Sequence, residues 1–90
     1  MRRENKNLAD DVKDLLDQIG EGGRNIHEIE KARKRLDSAS TAVTRDWANT
    51  SLWAIQEGLE HAEDPAGLEQ CRIGIIGLLA SVDSLLDRQS

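Results

Sequence analysis

The chain has 90 residues, enough for one domain, and carries a net charge of −5. It contains no Phe or Tyr and two Trp, so platforms on which bases or sugars could stack are nearly missing, and its acidity repels phosphate backbones. A lone cysteine, Cys71, excludes an internal disulfide and suits a reducing compartment. Since no apolar segment follows Arg2 and Arg3, we find no export signal and expect a cytoplasmic protein.

The first predicted element is an amphipathic helix over about residues 6–19. Apolar residues recur there at steps of four, three and four, and the glycine-rich run of residues 20–23 then predicts a stop and a loop. The apolar positions are Leu8, Val12, Leu15 and Ile19.

A second helix is predicted over about residues 25–48. Asn25 is a good N-cap residue, and Glu28, three positions later, completes the pattern of a capping box. The apolar residues that follow at helical spacing are Ile29, Ala32, Leu36, Ala39 and Val43.

A third apolar stripe is formed by residues 52, 55, 59 and 62, and it is rotated by more than 90° from the preceding one at about 100° per residue. Since Asn49, Thr50 and Ser51 are all good capping residues, we expect a break there and a helix over about residues 51–62. The alternative is one continuous helix over residues 25–62 that changes its packing partner along its length.

The last predicted helix, over about residues 65–88, is the most apolar part of the chain. Asp64 is a natural N-cap and Pro65 suits the first helical position. The charge-free run of residues 73–82 is too short to cross a bilayer, which needs about 20 apolar residues. Small residues on its back would let another backbone approach closely, and these are Gly74, Gly77 and Ser81.

These elements predict a single all-α domain over residues 1–90, built as a small antiparallel bundle of three or four helices. A chain of this size buries only about 60 to 65% of its unfolded surface, so a partner would add stability. The apolar arc of the last helix is wider than short aliphatic helices can cover, and the first helix is expected to dock against it. We predict dimerisation through Leu68, Cys71, Ile75, Leu79, Val82 and Leu86.

No pattern of catalytic residues stands out, so we predict that the chain is not an enzyme and holds no cofactor or metal. Glu57, His61 and Asp64 share one helix face, but two carboxylates and one imidazole rarely suffice to hold a metal. Cys71 has aliphatic neighbours and is expected to be a buried small hydrophobe rather than a nucleophile.

One charge cluster suggests anion binding. It consists of four cations on the second predicted helix, although Glu30 and Asp37 lie four residues from two of them and could neutralise part of it. The alternative function is therefore a nucleic-acid-associated regulator that uses Lys31, Arg33, Lys34 and Arg35.

The sequence Trp47-Ala48-Asn49 near the middle of a small helical chain resembles the WXG family of type VII secretion substrates. That resemblance implies a secreted helical hairpin with its turn at these residues, and Asn49 stands where the family has Gly. The family's first helix is uninterrupted, whereas residues 20–23 divide this one, and a chain without Tyr cannot carry the family's Tyr-based export signal.

The function that the sequence favours is a non-enzymatic helical module for protein–protein interaction, acting as an accessory or regulatory subunit. We expect its partner to be a second copy of the chain or another helical protein, with no role for a membrane.

Overall fold

The computed structural model describes residue 14 and residues 22–89, and this part of the chain contains three helices and no strand. The helices are α1 (Gly22–Leu36), α2 (Thr41–Glu60) and α3 (Pro65–Gln89). The prediction of an all-α protein is therefore confirmed. The predicted helix over residues 6–19, with the docking residues Leu8, Val12, Leu15 and Ile19, lies outside the described residues apart from Asp14.

The last helix, α3, lies between the other two and packs against both. It forms an antiparallel hairpin with α2, because a turn of only four residues joins them. Its other side packs on α1, where a single core cluster joins the two helices. The buried members of that cluster are Ile29, Leu36, Ile76, Leu79 and Ala80.

Burial on two sides explains why one apolar stripe does not describe α3. Of the six residues predicted to form its interface, Leu79 and Cys71 are buried within the chain and Leu68 is mostly exposed. The remaining three, Ile75, Val82 and Leu86, are half-buried at the edge of the core. None of the described helices is both long enough and apolar enough to cross a membrane.

The boundary between the first two described helices differs from the prediction. The helix is interrupted at residues 37–40 rather than at 49–51. The predicted helix over residues 25–48 and the continuous alternative over 25–62 are therefore both wrong. Ser40 is the N-cap of α2, since its backbone is extended and its side chain accepts a hydrogen bond from the Val43 amide at 3.2 Å. Before it, the Ala39 amide donates to the Leu36 carbonyl at 3.0 Å and closes a turn.

The predicted break at Asn49-Thr50-Ser51 lies instead in the middle of α2. Ser51 does not cap a helix there because its hydroxyl donates to the carbonyl of Trp47, one turn earlier, at 2.8 Å. A serine that bonds back within its own helix leaves the helix intact, which is why three capping residues in a row do not stop α2.

The start of α3 agrees with the prediction and the start of α1 does not. Pro65 is the first residue of α3, and the Asp64 carbonyl accepts the Leu68 amide at 3.2 Å. Asn25, predicted as an N-cap, lies inside the first turn of α1, because that helix begins at Gly22. Its side chain is buried and serves a contact between helices.

Candidate interaction surfaces

The contact between α2 and α3 is a seam of glycine and serine that brings the two backbones close together. A Cβ atom added to Gly77 would lie 2.5 Å from Oγ of Ser51 and 3.0 Å from Nε1 of Trp47. One added to Gly74 would lie 2.7 Å from Cγ1 of Ile55 and 2.9 Å from the Ser51 carbonyl oxygen. These glycines are required for close approach, and the expectation that small residues on the back of α3 admit another backbone is confirmed.

Polar atoms hold the same seam in register. The Gln70 amide donates to the Ala54 carbonyl at 3.2 Å, and the Cys71 thiol donates to the Ile55 carbonyl at 3.6 Å. Cys71 is buried next to Gly58. The thiol is therefore part of the packing, as predicted, and is not accessible for chemistry.

The contact between α1 and α3 is built around a buried cation. The side chain of Arg72 is only 8% exposed and lies between two carboxylates. It donates to Glu69 at 2.6 and 3.1 Å, to Glu28 at 2.9 Å and to Oδ1 of Asn25 at 2.9 Å. These directed hydrogen bonds fix the orientation of the guanidinium, and the two carboxylates also attract its charge.

Hydrogen bonding to Glu69 raises the pKa of Arg72 above its ordinary value, and Glu28 adds to the effect while burial opposes it. The site is thus a permanently charged ion cluster. The sequence analysis does not predict this cluster, because nothing in the local pattern shows that Arg72, next to the charge-free run of residues 73–82, would be buried. The available signal was Glu69 three residues before Arg72, a spacing that pairs side chains on one helix face.

In the described part of the chain, two sides of the α2–α3 hairpin carry exposed apolar side chains, and they differ in chemistry. The seam positions Ser51, Gly58, Gly67 and Gly74 are each followed by an aliphatic residue. Because α2 and α3 are antiparallel, the residues that follow seam positions on either helix project to the same side of the hairpin. We call this side the leucine face, and it consists of Leu52, Leu59, Leu68 and Ile75.

The three leucines of this face are each more than two-fifths exposed. Of the residues predicted from the sequence as an interface, the leucine face therefore includes Leu68 and Ile75. Leu52 and Leu59 were predicted only as a helix stripe, and their role in a surface was missed because the sequence does not show which side of α2 meets α3.

The opposite side of the hairpin carries an apolar groove of about 500 Å³. Its floor consists of Ser51, Gly74 and Gly77, which also belong to the seam between the two helices. Its walls consist of Val43, Asp46, Trp47, Thr50, Ala54 and Ile73.

The basic stripe predicted on α1 is only partly available. Lys31, Lys34 and Arg35 are exposed on that helix. Arg33, which was predicted to act with them, instead forms an ion pair with Asp87 of α3. The stripe therefore presents three cations to solvent, and the fourth helps to join two helices.

Two further predictions concern metal binding and the segment Trp47-Ala48-Asn49. Among the described residues, no three His, Cys, Asp or Glu side chains are arranged to hold a metal ion. Trp47, Ala48 and Asn49 lie within α2, so the turn that the WXG resemblance implies at these residues is wrong.

Comparison with known proteins finds short matches to myosins. A stretch of 37 residues, 41% of this chain, is 51% identical to the protein named Putative uncharacterized protein MYH16 of Homo sapiens and covers 3% of it. A stretch of 30 residues, 33% of this chain, is 58% identical to Myosin-3 of Caenorhabditis elegans and covers 2% of it. The chain thus spans a very small part of the relatives it matches. No family model and no solved structure matches it.

Proposed function

We propose that this chain is a non-enzymatic helical interaction module that associates with a second copy of itself through the leucine face. The observation that carries the proposal is the exposure of Leu52, Leu59 and Leu68 on one side of the hairpin. Several exposed leucines on one side of a helical hairpin are typical of an interaction site. An acidic module with a buried thiol fits an accessory or regulatory subunit of a cytoplasmic assembly.

Burial of the leucine face supplies the driving force. Each leucine transferred from water into an interface contributes up to about 1.5 to 3 kcal/mol. Two-fold symmetry brings the same residues from both copies together, so six leucines would be buried in one dimer. The partial likeness to myosins is compatible with a helical interaction module.

Self-association can be tested by sedimentation equilibrium at micromolar concentration. We expect the wild-type chain to dimerise and Leu68→Gln to weaken the dimer by about tenfold or more, because a polar amide would enter the apolar contact. The matched control is Ile26→Gln on α1, since Ile26 and Leu68 are 56% and 54% exposed. A wild-type chain that is monomeric under these conditions would contradict the proposal.

A second candidate function is phosphate-backbone binding by the basic stripe, and the exposure of Lys31, Lys34 and Arg35 favours it. We expect retardation of labelled DNA or RNA at low salt that weakens steeply as salt is raised and is lost when all three are changed to Glu. Arg45→Glu on α2 is the control. An absence of retardation at low salt would end this hypothesis.

A further inference from the structure

The groove on the other side of the hairpin has the shape of a docking site for a helix. The groove walls on α2 extend from Val43 to Ala54, which is three turns of helix and about 16 Å. Its volume of about 500 Å³ is within the range of roughly 300 to 1,000 Å³ that is usual for ligand sites. Val43 and Ile73, on opposite walls, are both mostly exposed. An apolar helix face laid along this channel would cover both.

The charge around the groove is acidic. Asp46 lines it, and Glu57 lies on the same side of α2 because it precedes the seam residue Gly58. These two carboxylates are eleven residues apart, which is again about three turns or 16 Å. Residues 46–89 contain eight acidic side chains, which are Asp46, Glu57, Glu60, Glu63, Asp64, Glu69, Asp83 and Asp87.

The two cations in that segment are bound away from Asp46 and Glu57. Arg72 is buried in the ion cluster with Glu28 and Glu69. Arg88 donates to the carbonyl oxygens of Leu36 and Ala39, both at 2.9 Å, and is thereby bound to the turn before α2.

We infer that the groove binds an amphipathic helix of another protein that has an apolar face and two Lys or Arg residues about three turns apart. The apolar face would contact Val43, Trp47 and Ile73, and the cations would lie opposite Asp46 and Glu57. A second copy of this chain is the less favourable occupant, because two hairpins facing each other through the groove would bring like charges together. This surface is separate from the leucine face.

The test uses two designed helical peptides of about 18 residues with the same leucine and alanine face. One carries Lys at two positions eleven apart, and the other carries Glu there. Fluorescence anisotropy should show the Lys peptide binding about fivefold or more tightly than the Glu peptide. In a Trp53→Phe background, Trp47 is the sole tryptophan and its emission should shift on binding.

The variant that tests the groove is Val43→Gln with Ile73→Gln, and we expect it to weaken binding of the Lys peptide by about tenfold or more. The matched control is Ile26→Gln, because Ile26 is 56% exposed, Ile73 is 58% exposed and Ile26 lies on α1 rather than at the groove. Asp46→Asn should weaken binding about threefold. Circular dichroism and urea unfolding should be unchanged in all of them, since the altered side chains are exposed.

Equal binding of both peptides, or wild-type affinity in the Val43→Gln and Ile73→Gln variant, would overturn the inference. A lower solution mass for that variant would show that a second copy occupies the groove, and would overturn it too. The experiment is also run on Leu68→Gln, which should bind the Lys peptide as the wild type does. A loss of self-association can therefore be distinguished from a loss of peptide binding in the groove.

Discussion

The two contacts that α3 makes are built by different means. Towards α2 it presents Gly67, Gly74 and Gly77, and the backbones approach so closely that a single added carbon would clash. Towards α1 it presents the large side chains of Arg72, Ile76 and Leu79, which fill the space between the two helices. The first contact depends on the lack of side chains at these glycines. The second depends on large side chains and on the charge of Arg72.

This difference predicts opposite sensitivities to mutation. The α2 side should be damaged by added volume, because helices in close contact have no space for it. The α1 side should be damaged by loss of a group, because the buried Asn25 and the partly exposed Glu28 and Glu69 would lose the guanidinium that bonds to them.

The largest effect is expected for Gly77→Leu, since even its Cβ would lie 2.5 Å from Oγ of Ser51. Overpacking at this position should lower the free energy of unfolding by about 3 kcal/mol. That is a large part of the roughly 5 to 13 kcal/mol expected for a chain of this length. Urea unfolding followed by circular dichroism measures it. Ala66→Leu is the control on an exposed position of the same helix, and equal losses for both would contradict the comparison.

Arg72→Met should lower the free energy of unfolding by less, about 2 to 3 kcal/mol. It keeps the apolar stem of the side chain but removes the charge. The value lies at or below the usual cost of breaking a buried ion pair, because Glu28 and Glu69 are partly exposed and water can reach them. Arg72→Lys should also lower the free energy of unfolding, but by less than Arg72→Met. It keeps the charge, but an ammonium cannot make the paired hydrogen bonds of a guanidinium. An unfolding curve for Arg72→Met that overlays the wild type would refute the role of the cluster.

The smallest effect is expected for a second ion pair between α1 and α3, Arg33 with Asp87. The Asp87 side chain is 63% exposed, so water screens the pair. A double-mutant cycle with Arg33→Gln and Asp87→Asn should give a coupling energy of about 0.5 kcal/mol or less, and it should fall further in salt. A coupling above that obtained for Arg72 with Glu28 would show that burial does not control the strength of the α1 contact.

Helical content, the start of α3 at Pro65 and the close approach at Gly74 and Gly77 could be predicted from the sequence. These features depend on local rules: a proline favours the first turn of a helix, and a glycine leaves space on one face. The burial of Cys71 was predicted for a similar reason, since its neighbours on the helix are aliphatic.

The break before α2 was not predicted, because the apolar pattern continues across it from Leu36 to Val43. Ser40 was the signal, since it can cap a helix, but Asn49, Thr50 and Ser51 offered a cap as well and only tertiary contacts decide between them. The ion cluster escaped prediction because Asn25 and Glu28 are 47 and 44 residues away from Arg72. Pairing over that distance is a property of the folded chain.

The hydrogen bonds of Arg88 have a consequence for the order in which the molecule is assembled. Its guanidinium holds the carbonyls of Leu36 and Ala39, 52 and 49 residues earlier in the chain. During synthesis the turn before α2 must therefore wait for almost all of α3 before it acquires these partners. Contacts between residues so distant in sequence slow folding, and we expect the 37–40 turn to be among the last parts of the described chain to become protected from hydrogen exchange on the ribosome.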